Sequence, residues 1–163
     1  VESAWTGAGG TGGVGGEMGE GESGGLGRRY PFATMPTITI NGKKCDFTPG
    51  QTILQVANAH GVAIPQYCYH DGLSIVASCR ICLGEIWSPD AKTGQLVAQM
   101  GGKLQPTCQT PATDGAVVYT DSPKSVANQK AVMEYLLINH PLDCPVCDQA
   151  GECFLQDYSY EYG

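Results

Sequence analysis

Residues Cys68–Cys82 read CYHDGLSIVASCRIC, a loop that contains three thiols. Ten residues separate Cys68 from Cys79, two separate Cys79 from Cys82, and Cys108 follows after a further twenty-five. Four thiolates are the ligand set of a [2Fe–2S] cluster, two on each iron. Small residues between the first two thiols allow the backbone to wrap closely and to aim N–H groups at sulfur. We therefore interpret this stretch as the cradle of a metal cluster around which the domain is organised.

Residues His140–Cys153 read HPLDCPVCDQAGEC and form a second ligand group. The spacing is His-x3-Cys-x2-Cys-x5-Cys, so the candidate ligands are His140, Cys144, Cys147 and Cys153. A neutral imidazole in place of a thiolate removes one negative charge, which raises the reduction potential of a cluster. Because the two groups differ in spacing, we interpret them as two sites rather than one duplicated unit.

Zinc is the competing interpretation, because four cysteines, or three cysteines with one histidine, are also ligand sets of structural zinc. The ten- and twenty-five-residue gaps of the first group fit a compact zinc knuckle poorly. Arg80 lies between two candidate ligands, where its charge either raises the potential of a cluster or belongs to an ordinary surface side chain. His70 lies close to Cys68, but four cysteines already complete that set, so we expect it beside the site or in solvent.

Two other residues of ligand type are expected to be structural. Cys45 is far in sequence from the other thiols, which favours a small buried hydrophobic side chain. His60 falls in the last turn of a predicted helix, where the helix dipole favours it. The eight cysteines, without a secretory signal, indicate a reducing compartment and metal or redox chemistry rather than a disulfide scaffold.

Composition limits the classes of function. The chain has 163 residues, is 42% apolar, and carries 9 basic and 16 acidic residues for a net charge of −7. That charge disfavours nucleic acid as a partner. No run of about 18 apolar residues occurs, so any link to a membrane is expected to run through partners. The sequence also lacks a phosphate-binding glycine loop and a nucleophile–base arrangement, so we expect no substrate chemistry of its own.

Residues 1–34 differ in composition from the rest of the chain. Twelve of the 23 glycines lie in residues 1–27, together with several glutamates. This segment lacks the apolar region of a signal peptide and is too acidic for a typical mitochondrial presequence. We expect a disordered extension, with Met35 as the more natural start.

The remaining sequence predicts an α+β fold. Polar and apolar residues alternate at Thr37–Ile40, and the Asn41-Gly42 pair after them is a strong hairpin signal. A helix follows, with Thr52 as its N-cap and Gly61 just beyond its end. Further predicted elements are strands at 83–87, 95–100 and 116–119, a segment at 104–107 that delivers Cys108, and a helix from Pro123 to near Asn139. Together these elements indicate a β-grasp arrangement in which 83–87 and 95–100 form an inserted hairpin.

Three stretches carry a resemblance to a known family: Cys68–His70, Ser78–Leu83 (SCRICL) and Asn139–Asp157 (NHPLDCPVCDQAGECFLQD). From about Met35 to Gly163 the chain resembles the N-terminal region of the large iron–sulfur subunit of NADH:quinone oxidoreductase, respiratory complex I. The resemblance implies a β-grasp ferredoxin domain with a [2Fe–2S] cluster on Cys68, Cys79, Cys82 and Cys108. It further implies a [4Fe–4S] cluster on His140, Cys144, Cys147 and Cys153.

The resemblance also implies a domain division, a function and neighbours. We expect the extension at 1–34, the [2Fe–2S] domain at 35–121, and a helix with the [4Fe–4S] segment at 122–163. The implied function is the relay of electrons from NADH, through a flavin-containing NADH-oxidising subunit, toward quinone, beside other peripheral-arm subunits of complex I. The implied location is peripheral, on the cytoplasmic side of the bacterial inner membrane or the matrix side in mitochondria.

Two departures from the family leave alternatives open. The gap before Cys108 is longer than the family leads us to expect, which fits the inserted hairpin. The sequence ends at Gly163, where family members continue into another [4Fe–4S] site and a large molybdopterin-type domain, so we expect a fragment, a truncated gene model or a short member. The alternatives are a relay subunit of an NAD-linked hydrogenase or formate dehydrogenase and, in a different class, a zinc-stabilised interaction module.

Overall fold

In residues 35–163, two strands come first and two of the three α-helices come last. The computed structural model describes residues 35–163. Within them the elements are β1 (Thr37–Ile40), β2 (Lys43–Asp46), α1 (Ile53–Ala59), β3 (Leu83–Pro89), β4 (Leu96–Ala98), β5 (Gln105–Pro106), β6 (Val117–Tyr119), α2 (Pro123–Leu137) and α3 (Phe154–Tyr162). The predicted disordered extension at 1–34 lies outside the described residues.

The hairpin of β1 and β2 forms as predicted. The two strands pair antiparallel, with Ile38 opposite Cys45, and both side chains are buried. Asn41 and Gly42 connect the strands with φ values of 48° and 80°. Positive φ at both positions is what a two-residue type I′ turn requires, and asparagine and glycine adopt it at little cost.

The sheet is mixed, and the long connections place β6 at its centre. Its order is β2-β1-β6-β3-β4, and β5 pairs with β3 away from this path. Strand β6 runs parallel to β1 and antiparallel to β3. The predicted inserted hairpin is present as β3 and β4, which pair with Trp87 opposite Ala98. A mixed sheet with helices confirms the predicted α+β class.

Helix α1 lies against the sheet and completes the main core. Its N-cap Thr52 accepts a hydrogen bond from the Gln55 N–H at 3.3 Å, and the Thr52 N–H donates to the Gln55 side chain at 2.9 Å. This reciprocal pair satisfies two N–H groups that the first helical turn leaves unpaired. The main core consists of apolar side chains from α1 and the sheet, including Ile38, Ile40, Leu54, Val56, Ile86 and Val118. It also contains Cys82 and Cys108.

Helix α2 begins at the predicted point, but its buried face differs from the predicted stripe. Ser122 caps it by accepting a hydrogen bond from the Ser125 N–H at 3.3 Å, and Pro123 follows. The buried side chains are those of Ser125, Gln129, Val132 and Met133. Val126, which the apolar pattern assigned to the stripe, is 37% exposed because it lies one residue, or about 100°, off that face.

Helix α3 was not predicted from the sequence. It follows Cys153 directly and packs against α2. Its Leu155, Tyr158 and Tyr162 surround a second, smaller core made of Cys79, Ile81, Val132 and Met133. Among residues 35–163, no helix combines the length and apolar character needed to cross a bilayer. The described residues all fall within one compact unit, and the proposed boundary at 121/122 stays a prediction.

Candidate metal centres

Four thiols from three parts of the chain lie together where the main core meets the second core. Cys79, Cys82 and Cys108 are 9%, 2% and 1% exposed, and Cys68 is half-buried. The Cys79 N–H donates to the Cys68 sulfur at 3.5 Å, which joins the two ends of the ten-residue loop. These four residues make the first donor set, and their role as cluster ligands stays a prediction.

Cys108 is brought to this set by the residue before it. The Thr107 hydroxyl donates to the Cys82 carbonyl oxygen at 2.9 Å, and the Thr107 N–H donates to the same oxygen at 3.3 Å. Strand β5 supports this contact by pairing Pro106 with Leu83. The inserted hairpin lengthens the connection between Cys82 and Cys108, but the two hydrogen bonds of Thr107 still hold these residues together.

The backbone between the first-set thiols has an unusual conformation. Ala77 and Arg80 have φ values of +52° and +62°, a region that costs a residue with a side chain roughly 1–2 kcal/mol. Such conformations persist where surrounding contacts hold them, and they concentrate at functional sites. One such contact is the Asn128 side-chain amide on α2, which donates to the Arg80 carbonyl oxygen at 2.7 Å. The Arg80 side chain is exposed, as expected for a surface residue.

The four thiols affect one another's protonation. Burial, reinforced by the neighbouring thiols of Cys82, Cys68 and Cys79, raises the pKa of Cys108 to about 12. Burial also acts to raise the pKa of Cys68, but hydrogen bonds from Cys79 and Ser78 outweigh it, so the pKa of Cys68 lies below its usual range. Four thiolates in so confined a place repel one another, and bound metal ions remove that cost.

The second donor set lines a single cavity of about 170 Å³, whose wall includes His140, Cys144, Cys147 and Cys153. The end of α2 delivers His140, and a short 3-10 turn, Cys144–Val146, holds the next thiol. Gly151 has a φ of +92°, a conformation that favours glycine, and the turn there brings Cys153 round to become the N-cap of α3. Unlike the first set, this set lies at the surface, with His140 and Cys147 exposed.

Both donor sets have the chemistry of cluster ligands. All eight cysteines are free thiols. Among residues 35–163, no three Cys, His, Asp or Glu side chains converge on a position for a single metal ion. Thiolates, with an imidazole in some centres, are the ligands of iron–sulfur clusters. The chemistry of the ligand residues therefore fits clusters.

The remaining candidates lie outside both sets. Cys45 is fully buried in the main core, as predicted for a small hydrophobic side chain. His60 lies against the backbone oxygen of Asp46, with its Nε2 at 2.8 Å. His70 is exposed, and its Nδ1 accepts a hydrogen bond from the Gly72 N–H at 3.0 Å.

Sequence analysis missed the aromatic residues between the two sets. Tyr67 and Tyr158 meet edge to face, with ring centroids 5.3 Å apart, and Tyr162 meets Tyr158 in the same way. The available signal was an aromatic residue every four positions after Cys153, at 154, 158 and 162, which is typical of one helix face. These rings fill the space between the first cysteine loop and α3.

Two known families match the chain, one over the part with the first donor set and one over the part with the second. The family described as "2Fe-2S iron-sulfur cluster binding domain" matches residues 33–123. The chain belongs to this family. A second family, described as "NADH-ubiquinone oxidoreductase-G iron-sulfur binding region", matches residues 129–163. These matches confirm the predicted resemblance and the predicted [2Fe–2S] and [4Fe–4S] cofactors, while the assignment of the eight ligand residues stays a prediction.

The chain is also similar in sequence to two subunits of NADH dehydrogenases. The chain is 44% identical to the mitochondrial NADH-ubiquinone oxidoreductase 78 kDa subunit of Candida albicans over 126 residues, which are 77% of this chain and 16% of that protein. It is 40% identical to the G-type subunit of NADH-quinone oxidoreductase from Rickettsia bellii over 129 residues, which are 79% of this chain and 17% of that protein. The chain thus spans about one sixth of the length of these relatives.

A solved structure resembles the fold. It is the crystal structure of an NAD+-reducing [NiFe]-hydrogenase in the H2-reduced state, matched with a TM-score of 0.66 and 30% sequence identity. The match covers 80% of this chain and 50% of that one. A similar fold therefore occurs in an NAD+-reducing [NiFe]-hydrogenase.

Proposed function

We propose that this chain relays electrons between a [2Fe–2S] cluster on Cys68, Cys79, Cys82 and Cys108 and a [4Fe–4S] cluster on His140, Cys144, Cys147 and Cys153. In this proposal it serves a respiratory NADH dehydrogenase, accepting electrons from NADH through a flavin-containing subunit and passing them toward quinone. The bound clusters would supply the one-electron chemistry. The residues of the chain hold them, exclude water and adjust their potentials.

The observation that carries the proposal is the packed layer between the two donor sets. Cys79, a member of the first set, lies in the second hydrophobic core, and Leu155 and Tyr158 on α3 pack against that core just after Cys153. Side chains of α3 thus connect the first set to the helix that Cys153 caps. Close packing gives two relay stations a constant separation.

One surface feature supports a place within a larger complex. Apolar side chains that surround the second set are exposed, among them Leu142, Val146 and Phe154. An exposed apolar patch of this kind marks a surface that a partner covers. We assign as partners the flavin-containing NADH-oxidising subunit and other peripheral-arm subunits of complex I. The proposed location is peripheral, on the cytoplasmic side of a bacterial inner membrane or the matrix side in mitochondria.

Metal analysis of the chain, purified or reconstituted without oxygen, tests the relay. The two clusters predict about six irons and six sulfides per chain. Reduced samples are expected to give two electron paramagnetic resonance (EPR) signals that appear at different potentials. Two zinc ions and no sulfide would instead support the zinc-stabilised interaction module and overturn the relay.

A relay subunit of an NAD-linked hydrogenase is the second candidate, favoured by the likeness to the NAD+-reducing [NiFe]-hydrogenase. A formate dehydrogenase remains a further alternative. The enzyme complex isolated from its source with this chain distinguishes them. NADH oxidation coupled to quinone reduction supports the respiratory assignment, whereas NAD reduction by hydrogen or by formate assigns the chain to the other enzymes.

A further inference from the structure

Gln156 lines the same cavity as the second donor set. Besides the four proposed ligands, the wall of this cavity of about 170 Å³ consists of Pro141, Asp143, Ala150 and Gln156. Proline and alanine side chains form no hydrogen bonds, and an ionised carboxylate only accepts them. Within this wall, Gln156 therefore supplies the one side-chain donor that is not itself a proposed ligand.

The position of Gln156 on α3 directs its side chain toward Cys153. Cys153 is the N-cap of α3, and Gln156 lies three residues later, a spacing that makes two side chains neighbours on a helix surface. The Cα–Cβ bonds of a helix tilt toward its N-terminus, so a side chain covers the turn before it. A second cavity, of about 240 Å³, also has His140, Cys144, Cys153 and Gln156 in its wall. In both cavities, therefore, Gln156 accompanies these three members of the second set.

The amide of Gln156 does not cap its own helix. Gln55 has the same position in α1, where its side chain accepts a hydrogen bond from the N–H of the N-cap Thr52 at 2.9 Å. In α3 the Cys153 side chain makes no capping hydrogen bond, and the half-buried Gln156 side chain makes none with the Cys153 N–H. The Gln156 amide is therefore available to an acceptor in the cavity.

We propose that the Gln156 side-chain amide donates a hydrogen bond to sulfur of the [4Fe–4S] centre. This inference rests on the proposed function. Thiolate and sulfide sulfurs only accept hydrogen bonds, so the amide presents its N–H groups, rather than its oxygen, to the cavity. Such a bond stabilises the reduced, more negatively charged state more than the oxidised state. Gln156 therefore raises the reduction potential of the second centre.

The test compares Gln156→Leu and Gln156→Glu in the full chain with both clusters assembled. Leucine has no donor, whereas glutamate keeps the shape of the side chain and replaces the amide by a negative charge. The matched controls are Gln149→Leu and Gln149→Glu, because Gln149 is exposed, lies outside the cavity wall and donates to the Glu152 carbonyl oxygen at 3.3 Å. Redox titration followed by EPR measures both midpoint potentials.

The potential of the second centre should respond to Gln156 and hardly to Gln149. We expect Gln156→Leu to lower the equilibrium constant for one-electron reduction of this centre about threefold, or about 28 mV. Gln156→Glu should lower it further, since the added charge opposes the more negative reduced state. Both potentials should stay constant in Gln149→Leu, and Gln149→Glu should have a smaller effect than Gln156→Glu because solvent and salt screen an exposed charge.

A second readout separates a hydrogen bond from a general effect of charge. In chain grown with glutamine that carries the heavy nitrogen isotope in its side-chain amide, the His140 ring keeps ordinary nitrogen. Pulsed EPR of the reduced second centre should therefore detect coupling to a glutamine nitrogen without overlap from that ring. The coupling should persist in Gln149→Leu and be lost in Gln156→Leu.

Three results would overturn the hydrogen bond of Gln156. If both EPR signals are present but Gln156→Leu changes neither the second potential nor the nitrogen coupling, the hydrogen bond is refuted and the relay stands. Equal shifts in Gln149→Glu and Gln156→Glu, without a coupled nitrogen, would assign the effect to surface charge and also refute it. If the unmodified chain assembles no [4Fe–4S] centre, the proposed function and this inference fail together.

Discussion

The hydroxyl of Thr107 donates to the carbonyl oxygen of Cys82 at 2.9 Å, across 25 residues of sequence. Thr107 is fully buried and directly precedes Cys108, so this bond connects the last two thiols of the first donor set. This contact closes the longest gap within the first donor set.

Replacing Thr107 by valine should weaken the first centre selectively. Thr107→Val keeps the shape of the side chain, and the backbone N–H of residue 107 still reaches the Cys82 oxygen. We expect a loss of about 1 kcal/mol in the free energy of unfolding and faster loss of the [2Fe–2S] EPR signal in air. The control is Thr110→Val, whose hydroxyl donates to the Pro106 carbonyl oxygen rather than to that of a proposed ligand. Equal lability in both variants would contradict this role of Thr107.

Changes at His140 should affect the second centre alone. His140→Ala removes one proposed ligand of the surface cavity, so we expect the [4Fe–4S] signal to be lost or weakened while the [2Fe–2S] signal persists. His140→Cys should retain a cluster but lower its potential, since a thiolate adds a negative charge. His70→Ala is the control, because that exposed ring binds only Gly72 in the described residues. Loss of both signals in His140→Ala would show that the sites are not separate.

Cys45 and Cys108 offer a matched pair of buried thiols. Cys45→Ser should leave both EPR signals in place and cost about 1–3 kcal/mol, since it puts a hydroxyl in the main core. Cys108→Ser should instead abolish or strongly shift the [2Fe–2S] signal. EPR and urea unfolding of the two variants measure these effects. If Cys45→Ser removes the first signal, Cys45 rather than Cys108 is the fourth ligand.

The iron-free chain should lose stability as the pH rises. Burial and neighbouring thiols raise the pKa of Cys108 in the folded state to about 12. A raised folded-state pKa contributes stability below the ordinary thiol pKa of about 8.5, and that contribution is lost between there and the folded value. The free energy of unfolding, measured with urea, should therefore fall more between pH 7.5 and pH 10 in the unmodified iron-free chain than in Cys108→Ala. An equal fall in the two proteins would contradict this prediction.

Iron loading should respond to pH in the opposite direction. Metal binding displaces the thiol proton, so a raised pKa makes assembly more favourable as the pH rises. Spectrophotometric reconstitution across the same range measures this effect. A constant yield would show that the Cys108 proton does not oppose assembly.

Much of the fold and both donor sets could be predicted because their signals are local. Asn41 and Gly42 determine a tight turn through their own backbone preferences, and Thr52 with Gln55 starts α1 through bonds three residues apart. The short cysteine spacings likewise place candidate ligands on one loop before any packing is known. These features depend on a few consecutive residues, and the structure has them where the sequence predicted them.

Other features depend on packing between distant segments and were missed or left open. The approach of Cys108 to Cys82 requires β5 and the bonds of Thr107, and the exposure of Val126 depends on which side of α2 meets the second core. The packing of Tyr67 against Tyr158 depends on α3, far along the chain from the first cysteine loop. The amino-acid sequence was sufficient to predict which thiols and which imidazole bind the clusters, and that assignment stays a prediction. The folded arrangement alone brings the two sets to either side of one aromatic layer, because side chains so far apart in sequence meet only when the cores have packed.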